Sequence, residues 1–172
     1  MREPLDKSRL LSLLEQFGKE LKDEGDIYLT GGASALLEDW RETTIDLDIS
    51  SQSEPRGFYE AIAKVKISLN ANIELAAPSH FAPALPDWEK RSSYIQTFGK
   101  AHYYHYDFYS QALVKMIRNH VRDRQDVEKM LESNRVKIDS LLSLVTSVEQ
   151  DFLKYPRLDY RNVLKKINAW KL

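Results

Sequence analysis

The chain has 172 residues, no cysteine and a formal net charge of −1, with 42% hydrophobic and 30% charged residues. The absence of cysteine excludes disulfides, thiolate catalysis and cysteine-ligated zinc, and the near-neutral charge argues against indiscriminate nucleic-acid binding. No apolar stretch is long enough to span a bilayer, and the polar start MREPLDKSR is not a signal peptide. We therefore expect a cytoplasmic protein with no membrane partner.

The N-terminal half alternates between helical and strand patterns. Apolar residues from Leu10 to Leu21 recur at helical spacing and predict an amphipathic helix over 4–24, with Gly25 as its end. The further elements predicted in this half are a strand at 27–29, a short helix capped by Ser34 and running to about Trp40, a strand at 43–49, a helix beginning at Pro55, a strand at 71–76, a proline-rich loop at 78–88, and a hairpin of strands 94–98 and 102–106.

From Phe108 onward the periodicity is helical throughout. Four helices are predicted near 108–120, 122–133, 137–153 and 159–170, with Pro156 separating the last two. We therefore expect an α/β (α+β) fold, in which an α/β core over 1–107 is followed by a helical region over 108–172. The tail is locally basic, with six cations against the single acid Asp159: Lys154, Arg157, Arg161, Lys165, Lys166 and Lys171.

The segment YLTGGASALLEDWRETTIDLDIS, residues 28–50, carries the strongest chemical pattern. Asp46 and Asp48 are two apart in a predicted strand, so their side chains share one face of the sheet. Two carboxylates at such a short distance raise each other's pKa unless a cation lies between them. This pattern favours a metal site over a structural role. We expect both carboxylates on one sheet face, opening toward the Gly31-Gly32 turn.

The residues around this pair suit a triphosphate. A glycine pair between a strand and a helix lets backbone amides approach an anion, and the hydroxyl of Ser34 would bind the same phosphate. Aspartates are hard oxygen ligands for Mg²⁺ or Mn²⁺, and Glu74, on another predicted strand, is either a third metal ligand or a base for an attacking hydroxyl. Together these features predict metal-assisted nucleotidyl transfer.

The run Gly31-Gly32-Ala33-Ser34, followed by Arg41, Thr44 and Asp46-Leu47-Asp48, resembles the signature of the DNA polymerase β-type nucleotidyltransferase superfamily. The segments NIELAAPSHFAPALPDWEKRS and HYYHYDFYSQALVKMIRNHVRDRQDVEKML are similar to a group of small bacterial proteins of that superfamily with no settled function. That group is close to the abortive-infection-type nucleotidyltransferase toxins. The resemblance covers roughly residues 25–135.

The resemblance implies a nucleotidyltransferase-type mixed sheet flanked by helices, with a C-terminal helical bundle. It implies transfer of a nucleoside monophosphate from an NTP to a hydroxyl of RNA or protein, in a toxin–antitoxin or phage-defence pair with an antitoxin partner. Arg41 and Thr44 would join the glycine pair in binding the nucleotide. Lys115 matches a lysine of the toxin site, so it would contact the triphosphate. The other candidates in the same KxxRxxxRDxxD run are Arg118, Arg122, Asp123 and Asp126.

Several alternatives stay open. The aspartate pair is also compatible with a solvated strand face, Glu74 with an ion pair on a strand, and the KxxRxxxRDxxD run with intrahelical ion pairs. Glu74 stands where many members of the superfamily have aspartate. His102 and His105 are expected to serve packing rather than metal binding. The function alternatives are a catalytically inactive nucleotide- or partner-binding module on the same fold, and a small-molecule nucleotidyltransferase of the antibiotic-modifying kind.

Overall fold

The computed structural model describes residues 3–171. Within them the chain forms two compact units, one of residues 3–77 and 92–106 and the other of residues 78–91 and 107–171. Residues 78–91, which the domain prediction leaves in the N-terminal part, thus belong to the second unit. No helix among the described residues has both the length and the apolar character that crossing a membrane requires.

The first unit is built on a five-stranded mixed sheet in the order β3-β2-β1-β5-β4. Its strands are β1 (Gly25–Thr30), β2 (Asp46–Ser50), β3 (Asn72–Leu75), β4 (Ser93–Phe98) and β5 (Ala101–His105). The central strand β1 runs parallel to β5 and antiparallel to β2, while β2 is parallel to β3 and β4 is antiparallel to β5. The β4–β5 pair is the predicted hairpin, with Gly99 at a positive φ of 55° in its turn.

Three helices accompany this sheet: α1 (Lys7–Glu20), α2 (Gly31–Leu37) and α3 (Phe58–Ser68). Apolar residues at alternating strand positions, such as Leu47 and Ile49 of β2, are buried in one core with the apolar residues of α1 and α3. This alternation leaves the opposite face of β2 and β3 for polar side chains.

Several predicted helix boundaries in this unit are wrong, including the start of α3, which lies at Phe58 and not at Pro55. Helix α1 begins after Asp6, whose carboxylate accepts the backbone N–H of Arg9 at 2.8 Å, and it ends at Glu20, so Gly25 begins β1 instead of ending the helix. Ser34 does not cap α2, because that helix already begins at Gly31 and has Ser34 inside it.

The second unit is helical. It contains α4 (Trp88–Arg91), α5 (Phe108–Arg118), α6 (Val121–Glu132), α7 (Ile138–Ser147) and α8 (Tyr160–Asn168), with 3₁₀ turns at Pro78–His80 and Glu149–Lys154. Helix α5 is capped by Asp107, which accepts the backbone N–H groups of Tyr109 and Ser110 and is fixed by two further bonds from Arg91, donated by Nε and Nη2.

The predicted helix 137–153 is wrong in its second half, because α7 ends at Ser147 and a 3₁₀ turn follows. The hydroxyls of Ser143, Thr146 and Ser147 each donate to a carbonyl of the preceding turn. Such side-chain bonds compete with the regular helical pattern, which explains why the helix stops short.

Candidate active site

The two aspartates of β2 lie on the same face of the sheet. Asp46 and Asp48 are half-buried, whereas Leu47 and Ile49 between and after them are buried on the other face. Because side chains alternate along a strand, both carboxylates project from the face opposite the core. The predicted shared face is therefore confirmed.

Strand β3 adds two further polar groups to that face. In the parallel β2–β3 register, Asp46 is the partner of Asn72 and Asp48 is the partner of Glu74. The Asn72 side-chain nitrogen donates to Asp46 Oδ1 at 2.6 Å and to Glu74 Oε1 at 2.7 Å. We call Asp46, Asp48 and Glu74 the sheet-face carboxylates. One neutral amide links two of them.

The glycine turn lies directly against these carboxylates. Gly31 has a φ of 65°, and a Cβ atom placed on it would lie 2.6 Å from Asp48 Oδ2. A Cβ on Gly32 would collide with the Thr44 hydroxyl and lie 3.2 Å from Arg41 Nη1. Only glycine permits this approach, so the pair brings Asp48, Arg41 and Thr44 to one turn, and the carboxylate face opens toward it as predicted.

The position of Thr44 is fixed from both sides. Leu5 and Thr44 exchange both backbone N–H···O=C bonds in an isolated bridge, at 2.7 and 2.9 Å, and the Thr44 hydroxyl donates to the backbone carbonyl of Asp46 at 3.1 Å. The segment that enters β2 is thus tied to the N-terminal segment before α1. This linkage keeps the first aspartate in register with the glycine turn.

Ser34 is fully buried within α2. Its hydroxyl oxygen lies 2.7 Å from His105 Nδ1, and His105 Nε2 lies 3.1 Å from Glu38 Oε1. The hydroxyl predicted to bind phosphate is therefore enclosed in a Ser34–His105–Glu38 chain, and its phosphate role stays a prediction. The burial of His105 agrees with the packing role expected of it.

Sequence reasoning missed Asn72, Glu38 and the use of His105. Asn72 had a usable signal, since it lies two residues before Glu74 in a predicted strand and so shares its face. Glu38 and His105 had none, because His105 meets Ser34 across 71 positions of sequence.

Three carboxylates and the carbonyl oxygen of Asn72 are the hard oxygen donors that Mg²⁺ prefers. Among residues 3–171, however, no three acidic or histidine side chains are gathered as a ready metal site. The Asn72 amide nitrogen stands between Asp46 and Glu74 instead. The donor chemistry of these residues fits magnesium.

The KxxRxxxRDxxD run forms a separate set of ion pairs within the second unit. Lys115 is only 4% exposed, and its Nζ lies 2.7 Å from Asp126 Oδ2 and 3.9 Å from Asp123 Oδ1. The Arg118 guanidinium makes two bonds to Asp123, at 2.6 and 2.7 Å. We call Lys115, Arg118, Asp123 and Asp126 the helix ion-pair cluster. Arg122 is exposed and lies outside it.

The electrostatics of this cluster favour the charged form of Asp123. Burial alone would raise the pKa of Asp123, but the hydrogen bond and charge of Arg118, together with the charge of Lys115, lower it below its ordinary value. Asp123 also accepts the backbone N–H of His120 at the start of α6. The alternative of intrahelical ion pairs for this run is wrong, because the ion pairs join α5 to α6. A triphosphate contact by Lys115 stays a prediction.

A mixed sheet flanked by helices, with a glycine turn against an aspartate-pair strand, defines the nucleotidyltransferase-like class of fold. A family model described as "Nucleotidyltransferase of unknown function (DUF6036)" matches residues 8–171, and the chain belongs to that family. Searches of curated proteins and of solved structures found no match. The nucleotidyltransferase resemblance is thus confirmed, and closeness to the abortive-infection toxins stays a prediction.

Proposed function

We propose that the protein is a magnesium-dependent nucleotidyltransferase that moves a nucleoside monophosphate from an NTP to a hydroxyl of an acceptor. The observation that carries this proposal is the approach of Asp48 to the Gly31 backbone, with Asp46 and Glu74 on the same sheet face. Carboxylates beside a tight glycine turn bring cation-binding and phosphate-binding groups to one point.

The sheet-face carboxylates would bind Mg²⁺ together with the phosphates of the substrate. The metal, when bound, neutralises phosphate charge and favours alignment of the attacking hydroxyl with the α-phosphorus. Asp46 and Asp48 are proposed as its ligands. Neither Asp46 nor Glu74 has an ion-pair partner among the described residues, so both acids retain their capacity for a cation.

Glu74 is proposed as the third ligand or as the base for the acceptor hydroxyl. Its side chain is exposed, and its backbone is in register with Asp48 on the neighbouring strand. A base must reach the proton that it accepts, and an exposed carboxylate beside the metal ligands meets that requirement.

The phosphate end of the site is proposed to consist of Gly31, Gly32, Arg41 and Thr44. The guanidinium of Arg41 lies against the Gly32 backbone, and a guanidinium is suited to phosphate oxygens by its charge and planar set of donors. Ser34 would join only if its bond to His105 opened, so its contribution is smaller.

For the acceptor we propose RNA, within a toxin–antitoxin or phage-defence pair that includes an antitoxin. The setting is supported by the resemblance of Lys115 and Asp126, in the KxxRxxxRDxxD run, to site positions of nucleotidyltransferase toxins. RNA is favoured over protein by two cations of the second unit, Lys154 and Arg157, which line one cavity. The helix ion-pair cluster would hold the Lys115 side chain against Asp126 until a substrate binds.

A catalytically inactive binding module is the second candidate. The Asn72 amide favours it, because an amide that satisfies Asp46 and Glu74 provides a stable arrangement without metal. The inactive module would bind a nucleotide or a partner, and only the enzyme predicts transfer.

The test is incubation with each labelled NTP, Mg²⁺ or Mn²⁺, and total RNA. Wild type is expected to label RNA, and Asp48→Asn to lose at least about 100-fold of the rate, a loss of the size seen when a charge-stabilising group is removed from an active site. Asp26→Asn, at an exposed aspartate of β1, is the matched control and should label like wild type. Labelling by Asp48→Asn at the wild-type rate would reject the assigned ligand, and no labelling by wild type would favour the binding module.

A further inference from the structure

The second unit contains a cavity of about 600 Å³ that the proposed transfer chemistry does not use. It lies between α5, the Pro78–His80 turn and the segment that follows the Glu149–Lys154 turn. Its volume is in the range of small-ligand pockets. The cavity therefore has room for one nucleotide unit.

The charge of its lining is of one sign. Arg118, Lys154 and Arg157 contribute cations and His80 an imidazole, and none of the lining residues that the structure describes carries a carboxylate. Arg118 is engaged by Asp123 through two bonds. The cavity thus favours an anion over a cation or a neutral ligand.

Two of these cations are available to a ligand. Arg157 is exposed and has no ion pair or hydrogen bond with any residue in the range 3–171. Lys154 pairs with Asp151 at 2.8 Å, but its side chain is 75% exposed, and pairs that open to water contribute little stability. A phosphate would therefore gain Arg157 directly and Lys154 at small cost.

The cavity also contains two aromatic rings. Tyr155 is fixed by its hydroxyl, which donates to the Ser79 carbonyl at 2.6 Å, and Phe81 is 55% exposed although it is large and apolar. An exposed ring beside accessible cations is the combination that binds the base and phosphate of a single strand. An acidic peptide would use the cations and leave the Phe81 ring uncovered.

We propose that this cavity binds one nucleotide unit of single-stranded nucleic acid, with the base against Phe81 and the phosphate at Arg157 and Lys154. The inference rests on the proposed function, because the strand bound here would be the RNA acceptor. It adds two contacts for that acceptor, a base contact at Phe81 and a phosphate contact at Arg157 and Lys154.

The test is the binding of a fluorescent RNA octamer, measured by anisotropy without NTP or metal between 50 and 200 mM salt. Phe81→Ala is expected to weaken binding about fivefold or more while leaving the salt dependence unchanged, because the ring contributes stacking. Arg157→Gln is expected to weaken binding similarly and to lower the slope of log K against log salt by about 0.7, as for the loss of one phosphate contact on a single strand.

Matched controls separate the cavity from general charge. Arg161→Gln removes an equally exposed cation outside the cavity lining, and Tyr59→Ala removes a ring that is also 55% exposed. Both should bind like wild type. If Arg161→Gln weakened binding as much as Arg157→Gln, if Phe81→Ala had no effect, or if a glutamate-rich peptide of equal charge competed as well as RNA, the cavity assignment would be overturned.

The failure of this inference is distinguishable from failure of the proposed function. Labelling of RNA that is lost in Asp48→Asn but unchanged in Phe81→Ala and Arg157→Gln would keep the transferase and reject the cavity. Octamer binding that depends on Phe81 and Arg157, with no labelling by wild type, would keep the cavity and reject the transferase.

Discussion

The molecule contains two acidic clusters that are built from the same residue types and differ in what neutralises them. In the helix ion-pair cluster, Asp123 and Asp126 are nearly inaccessible and each contacts a cation, Arg118 or Lys115. On the sheet face, the one hydrogen-bond partner of the Asp46 and Glu74 carboxylates among residues 3–171 is the neutral amide of Asn72.

The difference teaches how to separate a structural acid from a functional one. A buried carboxylate without a cation costs several kcal/mol, so the helices must supply its partner themselves. A half-exposed carboxylate at a sheet face remains hydrated and does not need a cation from the protein, so it is free to bind an external cation. We assign the helix ion-pair cluster to the stability of the helical unit and the sheet-face carboxylates to chemistry.

The largest effect should follow from breaking the helix ion-pair cluster. Lys115→Met leaves Asp126 buried without its cation, and we expect the free energy of unfolding to fall by about 3–5 kcal/mol. Denaturant unfolding measures the loss. Arg122→Gln, an exposed cation of the same helix run, should change stability by less than about 0.5 kcal/mol. A loss below about 1 kcal/mol for Lys115→Met would mean that the buried pair is not what stabilises the unit.

The contact between the glycine turn and the sheet face should come next. Gly31→Ala adds a Cβ at positive φ and against Asp48 Oδ2, so we expect a loss of about 1–2 kcal/mol or more. The same change in an Asp48→Ala background should cost less, because the carboxylate is gone. An equal loss of stability in the two backgrounds would show that the Asp48 carboxylate does not contact the Gly31 turn closely.

A smaller effect is expected at acid pH. Because the folded pKa of Asp123 lies below its ordinary value of 3.8, its ion pair contributes stability that is complete above that value and is lost as pH falls through the folded pKa. Unfolding free energy should therefore fall more steeply below about pH 4 in wild type than in Asp123→Asn. Parallel acid limbs for the two proteins, measured by denaturant unfolding, would contradict this.

The smallest effect concerns repulsion on the sheet face. Without metal, Asp48→Asn removes one of the three negative charges of the sheet-face carboxylates. We expect the melting temperature to stay the same or to rise by roughly one degree, the equivalent of a few tenths of a kcal/mol. Thermal unfolding in chelator measures it. A clear fall would indicate that Asp48 is a structural acid like Asp123.

The sequence predicts those features of the two clusters that depend on the periodicity of a single helix or strand. The period of two predicted the shared face of Asp46 and Asp48. The helical period predicted α5, α6, α8 and the first part of the 137–153 helix. The sequence does not predict the side chains that neutralise these carboxylates, because those side chains belong to other helices and strands. Asn72 meets Asp46 through the β2–β3 register, and nothing local specifies that register.

The same limit explains the other differences. Ser34 has the sequence features of a helix cap, yet its partner His105 lies on β5, and tertiary packing places the hydroxyl inside α2. The KxxRxxxRDxxD spacing is equally compatible with a site and with ion pairs. Only the pairing of α5 with α6 shows that Lys115 and Asp126 meet.

The central claim is that the sheet-face carboxylates and the glycine turn bind metal and triphosphate as one site, and coupled binding tests it most directly. Thermal unfolding is measured with Mg²⁺, with a non-hydrolysable NTP, with both, and with NTP plus chelator. We predict a joint shift larger than the sum of the separate shifts in wild type and in Asp26→Asn, and loss of that excess in Asp48→Asn. A nucleotide-induced shift that chelator leaves unchanged, or an excess that survives in Asp48→Asn, would contradict the claim.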